Sequence, residues 1–169
     1  NAARMTQELW PYTSTFSPIQ VGKMQIKNRV VMAPMGNLMM CEENGRPNEK
    51  MIAYFTARAK GGTGLITSGL IPISHGIDPT VSEVNNEVMM PRISGSRTVM
   101  SGWRTIAENC HCYGSRFFIQ LTPGLGRVGP PTCLVQRKKF PVSASFNPNF
   151  YIPELPCMRL TDHALGKII

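Results

Sequence analysis

Three short apolar segments constrain the fold more than any other feature of this sequence. Each is nearly continuous in hydrophobicity and does not alternate, which is typical of parallel strands that are covered on both faces. The segments are residues 29–34, 64–71 and 116–121. We therefore expect three buried parallel strands.

Helical patterns separate these strands. Asn48 is a favourable N-cap for a first helix, and Gly61-Gly62 is a stop signal for it. Gly114 ends a second helical pattern. The order strand, helix, strand, helix, strand predicts right-handed crossovers and an α/β architecture. The apolar stripes of the two helices are Met51, Ile52, Phe55 and Ala59 in the first, and Val99, Met100, Trp103, Ile106, Ala107 and Cys110 in the second.

Two further segments flank this core. Residues 16–28 carry turn signals at Pro18 and Gly22-Lys23 between apolar positions, which predicts a hairpin. Residues 122–160 contain seven of the fourteen prolines, which excludes a helix interior and predicts a long loop over a functional site. Nothing indicates a second domain, so we take residues 1–169 as one unit.

Composition narrows the class of protein. The chain has 169 residues, of which 42% are hydrophobic and 17% charged, enough apolar material for a folded core. No apolar run reaches the ~18 residues of a membrane span, and residues 1–18 lack a secretory leader. We expect a cytoplasmic protein with no membrane partner. The end at residues 166–169 resembles the start of an unfinished helix, so we also expect a fragment.

Three motifs that suggest other kinds of site have simpler explanations. Residues 124–129 match Gly-x-Gly-x-x-Gly, but Pro130-Pro131 follow at once where a dinucleotide site needs a helix. Cys110-His111-Cys112 lacks a second ligand pair, so we expect buried helix-end residues and no metal site. Arg137-Lys138-Lys139 and the net charge of +8 leave one alternative open, a non-catalytic basic binding module with an acidic partner. Scattered basic residues and few aromatic ones argue against nucleic acid.

The remaining candidates lie at the carboxyl ends of the predicted strands, where parallel α/β sheets place their sites. Small residues and a proline let a flat ligand approach the backbone, and the amide of Gln120 offers a donor and an acceptor to a heterocycle. A buried core glutamine satisfied by the backbone is the alternative. The candidates are Ala33, Pro34, Met35 and Gly36 after the first strand, Gly69 in the second and Gln120 in the third.

The ordered motifs resemble the old yellow enzyme family of flavin oxidoreductases. Residues 143–157 are more similar to its branch of 2-enoate reductases, 2,4-dienoyl-CoA reductases and bile-acid-inducible flavoproteins. The resemblance extends from about Phe16 to the end of the chain and is carried by Phe16-Ser17-Pro18-Ile19, Gly22, residues 27–35, Gly45-Arg46-Pro47, Tyr54-Phe55, residues 58–62, Gly64-Leu65-Ile66, His111, Gly114, Gln120-Leu121 and Gly126-Arg127.

The resemblance implies a (β/α)8 barrel that binds FMN, of which this chain would supply the N-terminal hairpin and about three βα units. Ala33, Pro34, Met35 and Gly36 would then lie against the flavin, Gly69 beneath it, and Gln120 would bind its pyrimidine edge. The family passes a hydride from NADH or NADPH through the flavin to an enone or an enoyl thioester such as an enoyl-CoA. Its catalytic residues come from later strands, so none is assigned here.

The resemblance also bears on further cofactors, on the substrate and on the oligomeric state. Larger members of the branch carry an iron–sulfur cluster and FAD in parts that this chain does not contain. Substrate identity, the choice of NADH or NADPH and any oligomeric state are left open. Because three parallel strands leave unpaired edges, we expect the separate chain to be unstable and inactive.

Overall fold

The structure is a computed structural model that describes residues 12–73, 77–78, 90–130 and 138–168. Helices and short strands follow one another along the chain. The elements are helix α1 (Thr13–Phe16), strands β1 (Ile19–Val21), β2 (Met24–Ile26) and β3 (Val31–Met32), helix α2 (Glu49–Lys60), strand β4 (Leu65–Pro72), helix α3 (Arg97–Cys112), strand β5 (Arg116–Thr122), a 3-10 turn (Gly126–Val128), strands β6 (Val142–Ser143), β7 (Asn147–Pro148) and β8 (Pro156–Arg159), and helix α4 (Asp162–Ile168).

The predicted parallel sheet is present. Strand β4 lies at its centre and pairs in parallel with β3 on one side and β5 on the other. The predicted hairpin forms from β1 and β2, which pair antiparallel around Gly22 at φ +57°. Strand β3 is shorter than the predicted run, because the chain turns away into a loop at Ala33. The α/β architecture is confirmed.

Both predicted helices form between the strands. The Asn48 side chain accepts a hydrogen bond from the Met51 backbone N–H at 3.1 Å, so it caps α2 as expected. Gly61 ends that helix by donating its N–H to the Ala57 carbonyl, and Gly62 follows at φ +102°. After α3, Gly114 takes φ +71°, a left-handed conformation that suits glycine at a helix end.

The hydrophobic core lies between the sheet and the two helices. Phe55 from α2 and Trp103 from α3 both contact Phe117 of β5, with ring centroids 5.2 and 6.5 Å apart respectively. The fully or nearly fully buried members of this cluster are Met51, Phe55, Ala59, Ile66, Ile71, Val99, Trp103, Ile106 and Cys110.

The described residues cover the other face of the sheet only in part. The prediction of strands buried on both faces is wrong for β3 and β5, whereas no residue of β4 is exposed. Phe117 and Ile119 pack against the core, whereas Phe118 between them is 44% exposed. Val31 on β3 is also exposed. Continuous hydrophobicity reports that a strand has two apolar faces, but the described residues provide a helix layer for only one of them.

A β-bulge interrupts β4. Thr67 pairs with Phe118 and Leu70 with Gln120, so three steps along β4 match two along β5. In a regular strand Ile66 and Ile71 would point to opposite faces, yet both belong to the core beneath the helices. The extra residue in the bulge accounts for this change of phase.

The segment predicted as a long loop, residues 122–160, carries a small sheet in its described part. Strand β8 lies between β6, with which it is parallel, and β7, with which it is antiparallel. Proline does not prevent these pairings, because Pro156 is the first residue of β8 and Pro148 lies on an edge strand. The Asn149 side chain, which is buried, donates to the Gly129 carbonyl and ties this sheet to the 3-10 turn region.

Candidate functional site

The predicted site residues come together at the carboxyl end of the parallel sheet. Ala33, Pro34, Met35 and Gly36 form the exposed stretch that follows β3. Gly69 is buried in the bulge of β4, and Gln120 lies near the end of β5. Parallel strands end on the same side of a sheet, so all three segments share one mouth.

Gly69 is the point at which the first two segments touch. A Cβ atom built on Gly69 would overlap the Met35 carbonyl oxygen and lie 2.8 Å from the Gly36 Cα. No side chain fits there without moving backbone. The absence of a Cβ therefore lets the loop after β3 lie directly on β4.

Gly36 itself faces open space. A Cβ built on Gly36 would meet only Leu38 Cγ, at 4.0 Å. Met35 beside it is 60% exposed. The surface that this segment offers is thus flat backbone with one exposed apolar side chain.

Gln120 forms the second wall. Its residue is exposed, and within the described part of the chain its side-chain amide has no hydrogen-bond partner. It shares the open face of β5 with Phe118, two residues earlier. These facts exclude the alternative of a buried core glutamine satisfied by the backbone.

Two residues that the sequence did not single out connect these walls. The Gly69 N–H donates to Asn37 Oδ1 at 3.3 Å, and Asn37 is only 4% exposed. The Gln120 N–H donates to Ser68 Oγ at 3.1 Å, and that hydroxyl donates to the Gly69 carbonyl at 2.9 Å. Their only sequence signal is their position, since Asn37 directly follows Gly36 and Ser68 directly precedes Gly69. The hydrogen bonds that connect them depend on the bulge in β4, which the sequence of one strand does not reveal.

These residues fit a flat heteroaromatic group such as a flavin. The backbone from Ala33 to Gly36 is open to approach, and Gln120 carries an unused donor and acceptor on the adjoining strand. An isoalloxazine ring needs both an apolar surface and amide partners at its edge. The residues that would hold it are those predicted from the sequence, with Asn37 and Ser68 behind them.

A separate cavity of about 350 Å³ lies at the opposite, amino end of the sheet. Lys27, His111 and Arg116 are the basic residues that line it, with Pro18, Gln25, Gly114 and Ser115. The ammonium group of Lys27 donates to the Tyr113 carbonyl at 2.6 Å, and partial burial lowers the pKa of this lysine. This cavity is distant from the candidate site in the topology, because it lies where the strands begin.

The remaining motifs give little support to other kinds of site. Up to residue 130, where the described segment ends, a 3-10 turn follows Gly124 and Gly129 is extended, so the glycine pattern opens no helix there. Cys110 is buried, as expected for a helix-end residue, but His111 and Cys112 are exposed and that part of the expectation is wrong. Among the described residues no cluster of three or more potential metal-ligating side chains occurs. Lys138 and Lys139 are exposed, and Arg137 lies outside the described residues.

Comparison with known proteins decides the family. Residues 14–147 match the family model described as the NADH:flavin oxidoreductase / NADH oxidase family. The chain belongs to that family. The family that the sequence resemblance indicated is thereby confirmed.

Two curated proteins that are similar to this chain are much longer than it. Cinnamate reductase of Clostridium sporogenes is 35% identical over 158 residues, which are 94% of this chain and 23% of that protein. An NADH oxidase of Thermoanaerobacter brockii is 31% identical over 121 residues, 68% of this chain and 17% of that protein. The chain thus spans less than a quarter of either relative.

Solved structures agree on the fold. The old yellow enzyme of Pichia sp. AKU4542 aligns with a TM-score of 0.67 at 24% identity, over 92% of this chain and 39% of that one. The predicted fold, part of a (β/α)8 barrel, is confirmed by this alignment. No helix among the described residues is long and apolar enough to cross a membrane.

Proposed function

We propose that this chain forms one wall of the FMN site in an ene-reductase that takes hydride from NADH or NADPH. The observation that carries the proposal is the convergence of the exposed Met35–Gly36 backbone, Gly69 and Gln120 at one end of the sheet. Family membership supports the flavin, and the geometry supports where it would lie.

FMN, when bound, supplies the hydride transfer between the nicotinamide and the substrate. The chain's own part is to bind and orient. Ala33, Pro34, Met35 and Gly36 offer a flat surface along the ring, while Gln120 offers an N–H donor and a carbonyl acceptor at its pyrimidine edge. Gly69 supports this surface from beneath, since the Met35 carbonyl rests on it.

An unsaturated carboxylate or enoyl thioester is the substrate class that we favour. The relative from Clostridium sporogenes is named for cinnamate, which has a carbon–carbon double bond conjugated to a carboxylate. The exposed side chains of Phe118, on the same face of β5 as Gln120, and of Met35, in the loop after β3, suit an apolar, conjugated substrate near the ring.

The separate chain should not turn over. None of the residues that converge at the site is a general acid or base, and Gln120 cannot donate a proton to a substrate carbanion. We expect the residues that bind the substrate carbonyl to lie in another part of the barrel. The chain therefore contributes to cofactor binding without completing the reaction.

Two measurements on the purified 169-residue chain test this proposal. FMN titrated with the chain should show quenched flavin fluorescence and a shifted visible spectrum, while NADH or NADPH oxidation with cinnamate or 2-cyclohexenone should stay at the level of free FMN. A Gln120→Ala variant should weaken FMN binding, and Gln25→Ala, at the opposite end of the sheet, should not. Failure to bind FMN by a wild-type chain that circular dichroism shows to be folded would refute the proposal.

The alternative of a basic binding module gives the opposite pattern. Its signature is salt-dependent binding to a polyanion with no flavin bound, because charge contacts weaken as salt rises. Absence of FMN binding by a folded wild-type chain, together with salt-dependent binding of a nucleic acid, would favour it.

A further inference from the structure

We propose that Asn37 and Ser68 are positioning residues that fix the distance between the two walls of the site. One wall is the Met35–Gly36 turn and the other is Gln120. We call the hydrogen bonds that Asn37 and Ser68 make to Gly69 and Gln120 the clamp. The effect of the clamp on flavin binding rests on the function proposed above, but the clamp itself is a property of the chain alone. Neither residue belongs to the set that the sequence pointed to.

Asn37 fixes the first wall. It immediately follows Gly36, and its Oδ1 accepts the N–H of Gly69 at 3.3 Å, across a separation of 32 residues. This hydrogen bond holds the turn on the strand where the missing Cβ of Gly69 permits contact. Loss of the acceptor would leave a buried N–H without a partner and release the turn.

Asn37 is poorly satisfied for a buried amide. Within the described part of the chain its Nδ2 has only the sulfur of Met40 as acceptor, at 3.9 Å, although the residue is 4% exposed. Thioether sulfur is a weak acceptor. Because the Nδ2 side of this buried amide is weakly satisfied, we assign the role of Asn37 to its Oδ1, which holds the Gly69 N–H in place.

Ser68 fixes the second wall. The bulge leaves Ser68 and Gly69 opposite the single residue Ile119, so regular ladder bonds are interrupted at this point. The Ser68 hydroxyl replaces them: it accepts the Gln120 N–H at 3.1 Å and donates to the Gly69 carbonyl at 2.9 Å. The backbone of Gln120 is thereby tied to the same residue, Gly69, that Asn37 holds.

Gly69 is therefore the common anchor of both walls. Its N–H is held by Asn37 and its carbonyl by Ser68, and its Cα carries the Met35–Gly36 turn. A ligand that contacts both Gly36 and Gln120 would meet a surface already set by these two side chains. Such preorganisation lowers the ordering cost of binding.

Hydrogen exchange on the ligand-free chain tests the clamp without any cofactor. In Asn37→Ala the Gly69 amide should exchange about tenfold faster, and in Ser68→Ala the Gln120 amide should do so. Asn37→Asp keeps an acceptor oxygen and should restore slow exchange at Gly69. Asn44→Ala is the matched control, because Asn44 also accepts a backbone N–H, from Arg46 at 2.9 Å, but lies on an exposed turn. Unchanged exchange at Gly69 and Gln120 would overturn the proposal.

FMN binding then tests the consequence. Asn37→Ala and Ser68→Ala should each raise the Kd for FMN about tenfold and shift the visible spectrum of bound flavin, with Asn37→Asp closer to wild type. Wild-type Kd and spectrum in both alanine variants would overturn the positioning role. If the folded wild-type chain binds no FMN, the proposed function fails, and hydrogen exchange alone then decides whether Asn37 and Ser68 hold Gly69.

Discussion

The two faces of the β3–β4–β5 sheet differ sharply in how they are covered. On one face, Phe55 and Trp103 from the helices pack on Phe117 of β5. On the other, Phe118 and Val31 stay exposed, and the candidate flavin site lies at its carboxyl end. The covered face supplies the stability of the fold, whereas the open face holds groups that are available for a ligand.

Removing one phenylalanine from each side of the sheet should lower the free energy of unfolding by very different amounts. Phe55→Ala deletes a fully buried ring and should lower the free energy of unfolding by about 3–5 kcal/mol. Phe118→Ala, on the open face, should cost about 0.5 kcal/mol. Urea unfolding followed by circular dichroism measures both, and equal losses would show that the open face is part of the core.

Adding a methyl group at the site should have a smaller effect on stability and a specific one on binding. Gly69→Ala places a Cβ against the Met35 carbonyl, where overpacking costs about 1–3 kcal/mol. Since the turn must move, FMN binding should be lost as well. Gly95→Ala is the control, because a Cβ there meets nothing within 4 Å. Wild-type FMN affinity in Gly69→Ala would separate this glycine from the site.

Thiol reactivity sharpens the comparison without altering the fold. Cys110 faces the core and burial raises its pKa to about 11, whereas Cys112 two residues later is exposed. Alkylation with N-ethylmaleimide near pH 8, followed by mass spectrometry, should label Cys112 and spare Cys110. Rapid labelling of both would mean that α3 does not stay packed on the sheet.

The same thiol gives a pH dependence with a definite sign. The folded-state pKa of Cys110 lies above its ordinary value of 9.0, so its contribution to stability is fully present below pH 9. It declines as the pH rises through about 11, because the unfolded chain loses the proton first. Urea midpoints should therefore fall over this window, and a Cys110→Ser variant should show less of the fall.

Local signals predicted much of the fold. Asn48 and Gly61 bracket α2 because N-cap and C-cap chemistry is encoded within a few residues. The turn at Gly22 likewise marks the hairpin. Continuous hydrophobicity could not say whether both faces are covered, since that depends on elements elsewhere in the chain.

The candidate site was predicted only in part. Met35, Gly36, Gly69 and Gln120 do converge, because strand ends in a parallel sheet share one side. Asn37 and Ser68 were missed, as was the bulge, because each depends on hydrogen bonds over 32 or 52 residues of sequence. Pairing register between strands is not written in either strand alone.

Amide chemical-shift changes in the 15N-labelled chain on addition of FMN test the central claim most directly. The account predicts that the largest changes fall at Met35, Gly36, Gly69 and Gln120, at the carboxyl end of the sheet. Changes concentrated around Lys27 and Arg116 at the amino end, or none at all, would contradict it.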